Sequence, residues 1–474
     1  MACALICLLP SVGMLWASEA QTGETDLAEF PALIEDGTWN TDYMSELGGW
    51  FEDHFAYRDI LVSANAVLRA QLLGDSVTDS VIVGRDGWLY YSETLDDYTG
   101  AGLLSDRAID NIVFNLSIMQ GYTQACGASF VVVIAPNKNS LYSEYMPYYY
   151  TEGGLRSLTL LEEAMEESGI NFVSMYSVLS AQDEVLYYKK DTHWNTKGAL
   201  IACTQLLSSL GNEDAAQELS LLTGTETQEF IGDLNTMLYL SSAKPETDYS
   251  FDDALEWTFV TGESTEDSEI TTSGEGSGTL LMYRDSFANN MIPFLADVYE
   301  TAYFTKMVPY DLTEVSESGA QAVIVERAER HLADLGTDAP IMPAPGVTLG
   351  ISGDFREDSG VSDDGSVINI GTDGDYVEVS GILPEAYCDR DSAMYIGLEK
   401  EDGTVSWYVP FHLSSDSSDY GYEAHFYAAT FEGTQRVYLA VSDADGTQCI
   451  AGMDADGADG FTGSDVYSDE SGVL

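Results

Sequence analysis

GTLLMYRDSFANNMIPFLADVYETAYF, residues 278–304, decides the fold class. Its opening, TLLMY, has the pattern of a short buried strand. That strand runs into a turn at Arg284, Asp285 and Ser286, and an apolar-striped helix follows at once. Two further apolar runs match it. SFVVVIA at 129–135 is rich in β-branched residues and ends at Pro136, the pattern of a strand covered on both faces, and AQAVIVERAERHL at 320–332 supplies another. Helical spacing occupies 107–126, 155–168 and 191–211, the last starting at an Asp or Thr cap and stopping at Gly211. Strands alternating with helices predict an α/β fold with a mostly parallel sheet covered on both sides.

Working outward, residues 48–73 carry apolar side chains at helical spacing, and VIVGRDGWLYY at 81–91 predicts a hairpin about Arg85, Asp86 and Gly87. INFVSMYSVL at 170–179 reads as a strand with its exit turn. The stretch 212–278 is loose and polar, and STEDSEITTSGEGSG at 264–278 reads as an exposed loop. GTDAPIMPAPGVTLG at 336–350 has the prolines of an interdomain linker, which a protease would cut between residues 335 and 346. Beyond it, short alternating strands separated by Gly and Asp turns predict an all-β sandwich. The expected units are residues 1–20, residues 21–340 and residues 346–474.

Composition narrows the function. Eighty acidic residues against 18 basic ones give a net charge of −62. That surface repels nucleic acid phosphates and anionic lipid, so nucleic acid is not a partner and any membrane contact must come through an apolar anchor. MACALICLLPSVGMLWASEA at 1–20 offers one: an apolar run ending in small residues, read as a signal peptide or membrane anchor. The expected location is therefore secreted or at the cell surface. The six cysteines form no CxxC pair, which gives no support to a zinc ribbon. Cys126 and Cys203 are expected as small buried residues, while Cys388 and Cys449 fall in one domain and could pair after export. DADGADG at 454–460 departs from a calcium loop at Ala458 and Asp459, so no metal and no cofactor is expected.

The chemistry gathers in two places. Ser286 lies at a strand-to-helix turn, where nucleophiles sit in α/β sheets, and the helix start offers N–H groups to an oxyanion. KKDTHWNTKGAL at 189–200 places Asp191 two residues before His193, one of only five histidines. His193 could be a catalytic base oriented by Asp191, a metal ligand, or a polar residue at a helix start. Taken singly, each motif fits an ordinary N-cap. Asn137 and Lys138, after the strand ending at Pro136, are candidates for the oxyanion or substrate site. Four of the seven lysines (Lys138, Lys189, Lys190 and Lys197) fall within these motifs, and Arg284 adds a cation beside Ser286. Together they suggest a local positive pocket for an anionic sugar, an acyl oxygen or an oxyanion. Glu326 and Arg327 are expected to brace the site.

KKDTHWNTKGAL resembles the signature of the DHHW proteins and of the related alginate O-acetyltransferase-like SGNH family. So do VGRDGWLYY, FVVVIAPNKNSLYSEYMP, FIGDLNTML, MYRDSFANNMIPFLA and AVIVERAER, in that family's order. The resemblance covers roughly residues 48–332. It implies an SGNH-hydrolase-like three-layer α/β/α sandwich and a triad of Ser286, His193 and Asp191. Arg284 departs from the glycine that many SGNH enzymes carry there. The implied activity is an exported serine O-acetyltransferase or O-acetylesterase on a cell-surface polysaccharide. The resemblance favours transfer, with a membrane-bound O-acyltransferase as acetyl donor. A glycan-binding surface protein with a vestigial site is the alternative.

Overall fold

The structure is a computed structural model and describes residues 28–455 except 29, 36–37, 54–63, 71–73, 240–241, 352–366, 375 and 444–445. The leader at 1–20 and the acidic turn at 456–460 lie outside the described residues, as does part of the helix expected over 48–73. Of that last stretch, residues 48–53 belong to the helix Tyr43–Asp53 and residues 64–70 are also helical.

Seven strands form the central sheet. In chain order they are β1 (Ser129–Ala135), β2 (Phe172–Ser174), β3 (Trp257–Thr261), β4 (Glu269–Gly274), β5 (Thr279–Tyr283), β6 (Thr301–Thr305) and β7 (Ala322–Ala328). Their spatial order is β2-β1-β7-β5-β6-β4-β3. The first five of these neighbours run parallel, and β4 and β3 add an antiparallel edge. Apolar residues on both faces of β1, β5 and β7 explain the covering helices. Val131, Val133, Met282 and Ile324 pack against α3 (Thr196–Ser209) and α4 (Ile292–Val298). Phe130, Val132, Leu281 and Val323 pack against α1 (Asp106–Ala125) and α2 (Ser157–Ser168). The expected α/β architecture is present.

Four local expectations change. The polar stretch at 264–278 is not simply a loop: it contains β4, where Ile270 and Thr272 are buried, Thr271 between them is half-buried, and Glu269 and Ser273 are exposed. Residues 170–179 give only a short strand, because Met175–Ser180 is already helical and capped by the Ser174 hydroxyl. Cys126 is exposed at the end of α1, whereas Cys203 is buried; Cys388 and Cys449 are not joined by a disulfide. The proline-rich 336–350 is no loose tether. Leu335, Ala339 and Met342 are buried, and Ile341 and Ala344 donate backbone N–H groups to Tyr310 and His425. A bonded, buried backbone resists proteolysis.

The C-terminal strands form one five-stranded and one four-stranded antiparallel sheet. Ile396 and Leu439 from the first meet Val379 and Tyr422 from the second in a shared core, as expected of a sandwich. This unit sits on α1. Arg107 donates to the Arg390 carbonyl, Asn111 to Asp419, and Asn115 exchanges two hydrogen bonds with the His412 backbone.

The topology places the chemistry. Tyr283 pairs with Val325, and Ala328 pairs with Ala135, so β5, β7 and β1 all end at one edge of the sheet. Loops leaving that edge are where ligands bind in such sheets.

Candidate active site

Asp285 builds the turn that presents Ser286. Its carboxylate accepts from Phe287 N at 2.8 Å, capping the short helix Ser286–Asn290, and from Ala328 N at 2.7 Å, tying the turn to β7. Burial opposes the charge, but Arg330, Arg327 and those two N–H groups hold the Asp285 carboxyl below its ordinary range. Beneath it, Asp285 N donates to Glu326 Oε2 at 2.9 Å. Burial, reinforced by Asp285, pushes the Glu326 carboxyl well above the usual carboxylate range.

His193 lies across from this turn, in the loop entering α3. Its Nδ1 is 2.7 Å from Asp191 Oδ1 and its Nε2 is 2.8 Å from Ser286 Oγ. Asp191 Oδ1 also accepts the His193 backbone N–H at 2.8 Å, and Oδ2 accepts that of Asp233. Burial would raise the Asp191 pKa; the His193 charge and these N–H groups outweigh it and bring it to about 2. Asp191 is therefore ionised at neutral pH and fixes the imidazole with Nε2 toward the serine. Two bonds lock the histidine loop to the serine turn: Trp194 Nε1 donates to Phe287 O at 2.9 Å, and Asn290 Nδ2 donates to Trp194 O at 3.1 Å. The buried Trp194 is thus a packing residue.

The three residues expected at the oxyanion or substrate site are engaged elsewhere. Lys138 is buried, and its ammonium spends its three donors on the carbonyls of Tyr188, Lys189 and Asp191. Burial lowers its pKa to about 8. It supports the histidine loop from behind. Asn137 turns its amide N–H to Asp97 Oδ2 at 2.8 Å and its backbone N–H to Glu329 Oε2 at 2.7 Å. Arg284 is fully buried and donates to Asn289 Oδ1 at 2.6 Å and to the carbonyls of Thr265, Asp267 and Asp285. The chain has glycine's place filled by a long side chain because the guanidinium runs under the turn, tying it to the 265–267 loop. The positive pocket expected from clustered lysines is reduced accordingly, since Lys197 also pairs with Glu184 at 2.8 Å.

Glu329 offers a pH test of this edge. Its carboxyl is buried and accepts from Asn137 N and Ser140 Oγ through Oε2, while Oε1 accepts no hydrogen bond and meets only the Arg156 guanidinium, at 3.9 Å. Burial raises its pKa from 4.5 to about 7. Between those values the folded chain keeps a proton that the unfolded chain has lost, so stability falls as pH rises through that window. The shift corresponds to roughly 3 kcal/mol by linkage. Glu329→Gln retains an acceptor for both donors and should flatten this fall, raising stability above pH 7. Urea melts across pH 4 to 8 read the difference; parallel profiles for the two proteins would contradict it.

A second carboxylate near the imidazole went unassigned in the sequence. Asp233, inside FIGDLNTML, lies 3.9 Å from His193 Nδ1 and accepts from Thr192 N and Oγ1 at 2.9 and 2.6 Å. Its helix-opening position resembled an ordinary cap, so only the fold reveals its neighbour. Burial and the Asp191 charge raise its pKa. Asp191→Asn should cost activity by about 10³ or more, as expected when the tautomer is lost. Asp233→Asn should cost about tenfold, its charge acting at longer range through Thr192. Equal losses would show that the two carboxylates act as one unit.

Among the described residues, two groups bring three metal-type ligand atoms within 4.8 Å: Asp191, His193 and Asp233, and Glu378, Glu423 and His425. In the first, both carboxylates already accept backbone N–H groups, and His193 Nε2 faces Ser286.

Residues 81–275 match the family described as the SGNH hydrolase-like domain of the acetyltransferase AlgX. That match contains Asp191 and His193 and ends before Ser286. The probable alginate O-acetylase AlgJ of Pseudomonas syringae pv. tomato (strain ATCC BAA-871 / DC3000) is 25% identical over 205 residues, covering 40% of this chain and 49% of AlgJ. The chain thus spans about half the length of that curated relative. Together these matches bear out the resemblance read from the motifs. Among solved structures, Bacillus cereus PatB1 aligns with a TM-score of 0.42 at 15% identity, covering 54% of this chain and 97% of PatB1. A DHHW family protein from Eubacterium siraeum DSM 15702 aligns with a TM-score of 0.40 at 17% identity, covering 54% and 94%.

Proposed function

We propose that this chain is a serine O-acetyltransferase acting on a polysaccharide, with Ser286 as nucleophile, His193 as general base and Asp191 as its orienter. The observation that carries the reading is the imidazole bridging Asp191 and Ser286, 2.7 Å from one and 2.8 Å from the other, at the ligand-binding edge of the sheet. A serine hydroxyl is a weak nucleophile near neutral pH, and a base in hydrogen-bond contact removes that limit.

The chemistry follows from the contacts. Ser286 Oγ attacks the acetyl carbonyl carbon while its proton moves to His193 Nε2. The imidazolium formed is balanced by Asp191. Collapse of the tetrahedral intermediate expels the donor's oxygen, which takes the proton from His193 and leaves acetyl-Ser286. A sugar hydroxyl then gives its proton to His193 and attacks the acetyl group, and Ser286 recovers its hydrogen on release. Water in place of the sugar would make the same site an esterase. Transfer is favoured by the likeness to an alginate O-acetylase.

In this reading the protein is exported, with residues 1–20 as signal peptide or anchor, and receives acetyl groups from a membrane-bound O-acyltransferase. None of the described helices is long and apolar enough to cross a membrane. We assign residues 21–340 to the acyltransferase unit and 346–474 to a sandwich unit suited to holding carbohydrate. The test is to incubate the purified chain with p-nitrophenyl acetate, with and without an oligosaccharide acceptor. Acetylated sugar supports transfer; free acetate alone makes the chain an esterase. No turnover under either condition would leave the glycan-binding reading with a vestigial site.

A further inference from the structure

We propose that Arg330 is a catalytic residue: its guanidinium, together with the backbone N–H of Ser286, receives the negative charge that develops on the acetyl carbonyl oxygen. The proposal rests on the triad reading and supplies what that triad lacks, since Asn137, Lys138 and Arg284 are all committed elsewhere.

Three observations carry it. The first is position. Arg330 follows β7, the strand hydrogen-bonded to β5, and emerges at the same sheet edge as Ser286. Its Cζ lies 5.4 Å from the ring centroid of Phe287, the residue after the nucleophile. That ring is 4.7 Å from the His193 imidazole, so the cation and the base share one aromatic neighbour. The Tyr91 ring flanks the guanidinium, 5.9 Å from Cζ.

The second observation is that Arg330 is unpaired in a chain crowded with carboxylates. Its Nε is buried with no hydrogen-bond partner, and its other nitrogens have none among the described residues. Arg327 pairs with Asp334 at 3.4 Å, Arg390 with Asp106 and Asp110, and Arg284 and Lys138 with carbonyls. With 80 acidic residues in the sequence, a half-buried guanidinium left without an anion is costly unless one arrives during the reaction. Arg330 does act on Asp285, but at a distance, its charge helping to keep that carboxyl ionised.

The third observation concerns the other donor. Phe287 N is used by Asp285, whereas Ser286 N opens the helix and has no acceptor among the described residues. A free N–H at the nucleophile and a free guanidinium beside it form a two-donor site. When Ser286 Oγ bonds to the carbonyl carbon, the carbonyl π electrons move onto oxygen, and these donors face that charge. On collapse the electrons return, the bond to the leaving oxygen breaks, and His193 delivers the proton to it.

The experiment follows the pre-steady-state release of p-nitrophenol from p-nitrophenyl acetate by the full chain, a neutral donor with no acceptor sugar present. Arg330→Met should slow acylation by about 10²–10³, the usual loss for one oxyanion donor. Arg330→Lys should fall between the two, and free guanidinium should restore part of the rate to Arg330→Ala. That rescue separates a chemical role from a folding defect even if the variants melt earlier. Acylation of Arg330→Met at the wild-type rate overturns the proposal alone, and so does a loss confined to transfer onto an acid-bearing sugar, which would make Arg330 an acceptor contact. A wild-type chain that takes no acetyl group overturns the triad reading and this proposal together.

Discussion

Ser286→Ala is expected to lower acetyl transfer by about 10⁶ while leaving the melting curve nearly unchanged. The substitution deletes one oxygen whose hydrogen-bond partner is His193 Nε2, and the residue is only half-buried, so no core cavity opens. Asp285, Glu326 and the turn they hold do not contact that hydroxyl; their bonds run to the Phe287, Ala328 and Asp285 backbone. His193→Ala should be comparably inactive, because no other base stands within hydrogen-bond reach of Ser286 Oγ among the described residues. Residues that act as a unit are not additive, so the double variant should be scarcely worse than either single one. Steady-state rates with a small acetyl ester read all three. Additive losses would mean that serine and histidine serve separate steps.

Arg284→Met is expected to destabilise the protein by about 3–5 kcal/mol, the usual range for removing one member of a buried polar cluster. Four contacts go at once: Asn289 Oδ1 at 2.6 Å, Asp267 O at 2.5 Å, Thr265 O at 3.2 Å and Asp285 O at 3.3 Å. Each acceptor left dry adds its own desolvation cost. Arg284→Lys should recover little, since one ammonium cannot span acceptors that a planar fork reaches in several directions. Urea melts give the stability, and KM for the ester gives the alternative. A variant that melts like wild type but binds substrate poorly would return Arg284 to the substrate site.

The parallel part of the sheet was legible because its strands are buried on both faces and therefore read as unbroken apolar runs, as in SFVVVIA and TLLMY. β4 was not, because Thr and Ser can fill a half-buried strand in the antiparallel part of the sheet: EITTSG carries only one strongly apolar residue. The linker misled for a different reason. Prolines at 340, 343 and 345 signal extended backbone, and extended backbone pairs as readily with neighbours as it spans solvent. In the site, Asp191, His193 and Ser286 were visible as motifs and their meeting was not, since it depends on loops 93 residues apart. Lysine and arginine at motif positions suggested substrate charge. Burial decides otherwise for Lys138 and Arg284, whose donors satisfy backbone carbonyls that no residue pattern announces. Asp233 and Arg330 lay inside motifs already recognised, and only neighbours distant in sequence give them roles.

Peptide mass mapping after brief exposure to an activated acetyl donor tests the central claim most directly. Acid quenching preserves an ester on serine, and digestion isolates the peptide that contains Ser286. A single acetyl group on that peptide, absent from Ser286→Ala and strongly reduced in His193→Ala, is the predicted result. An acetyl group on another residue, or equal labelling of Ser286 with and without His193, would contradict the triad.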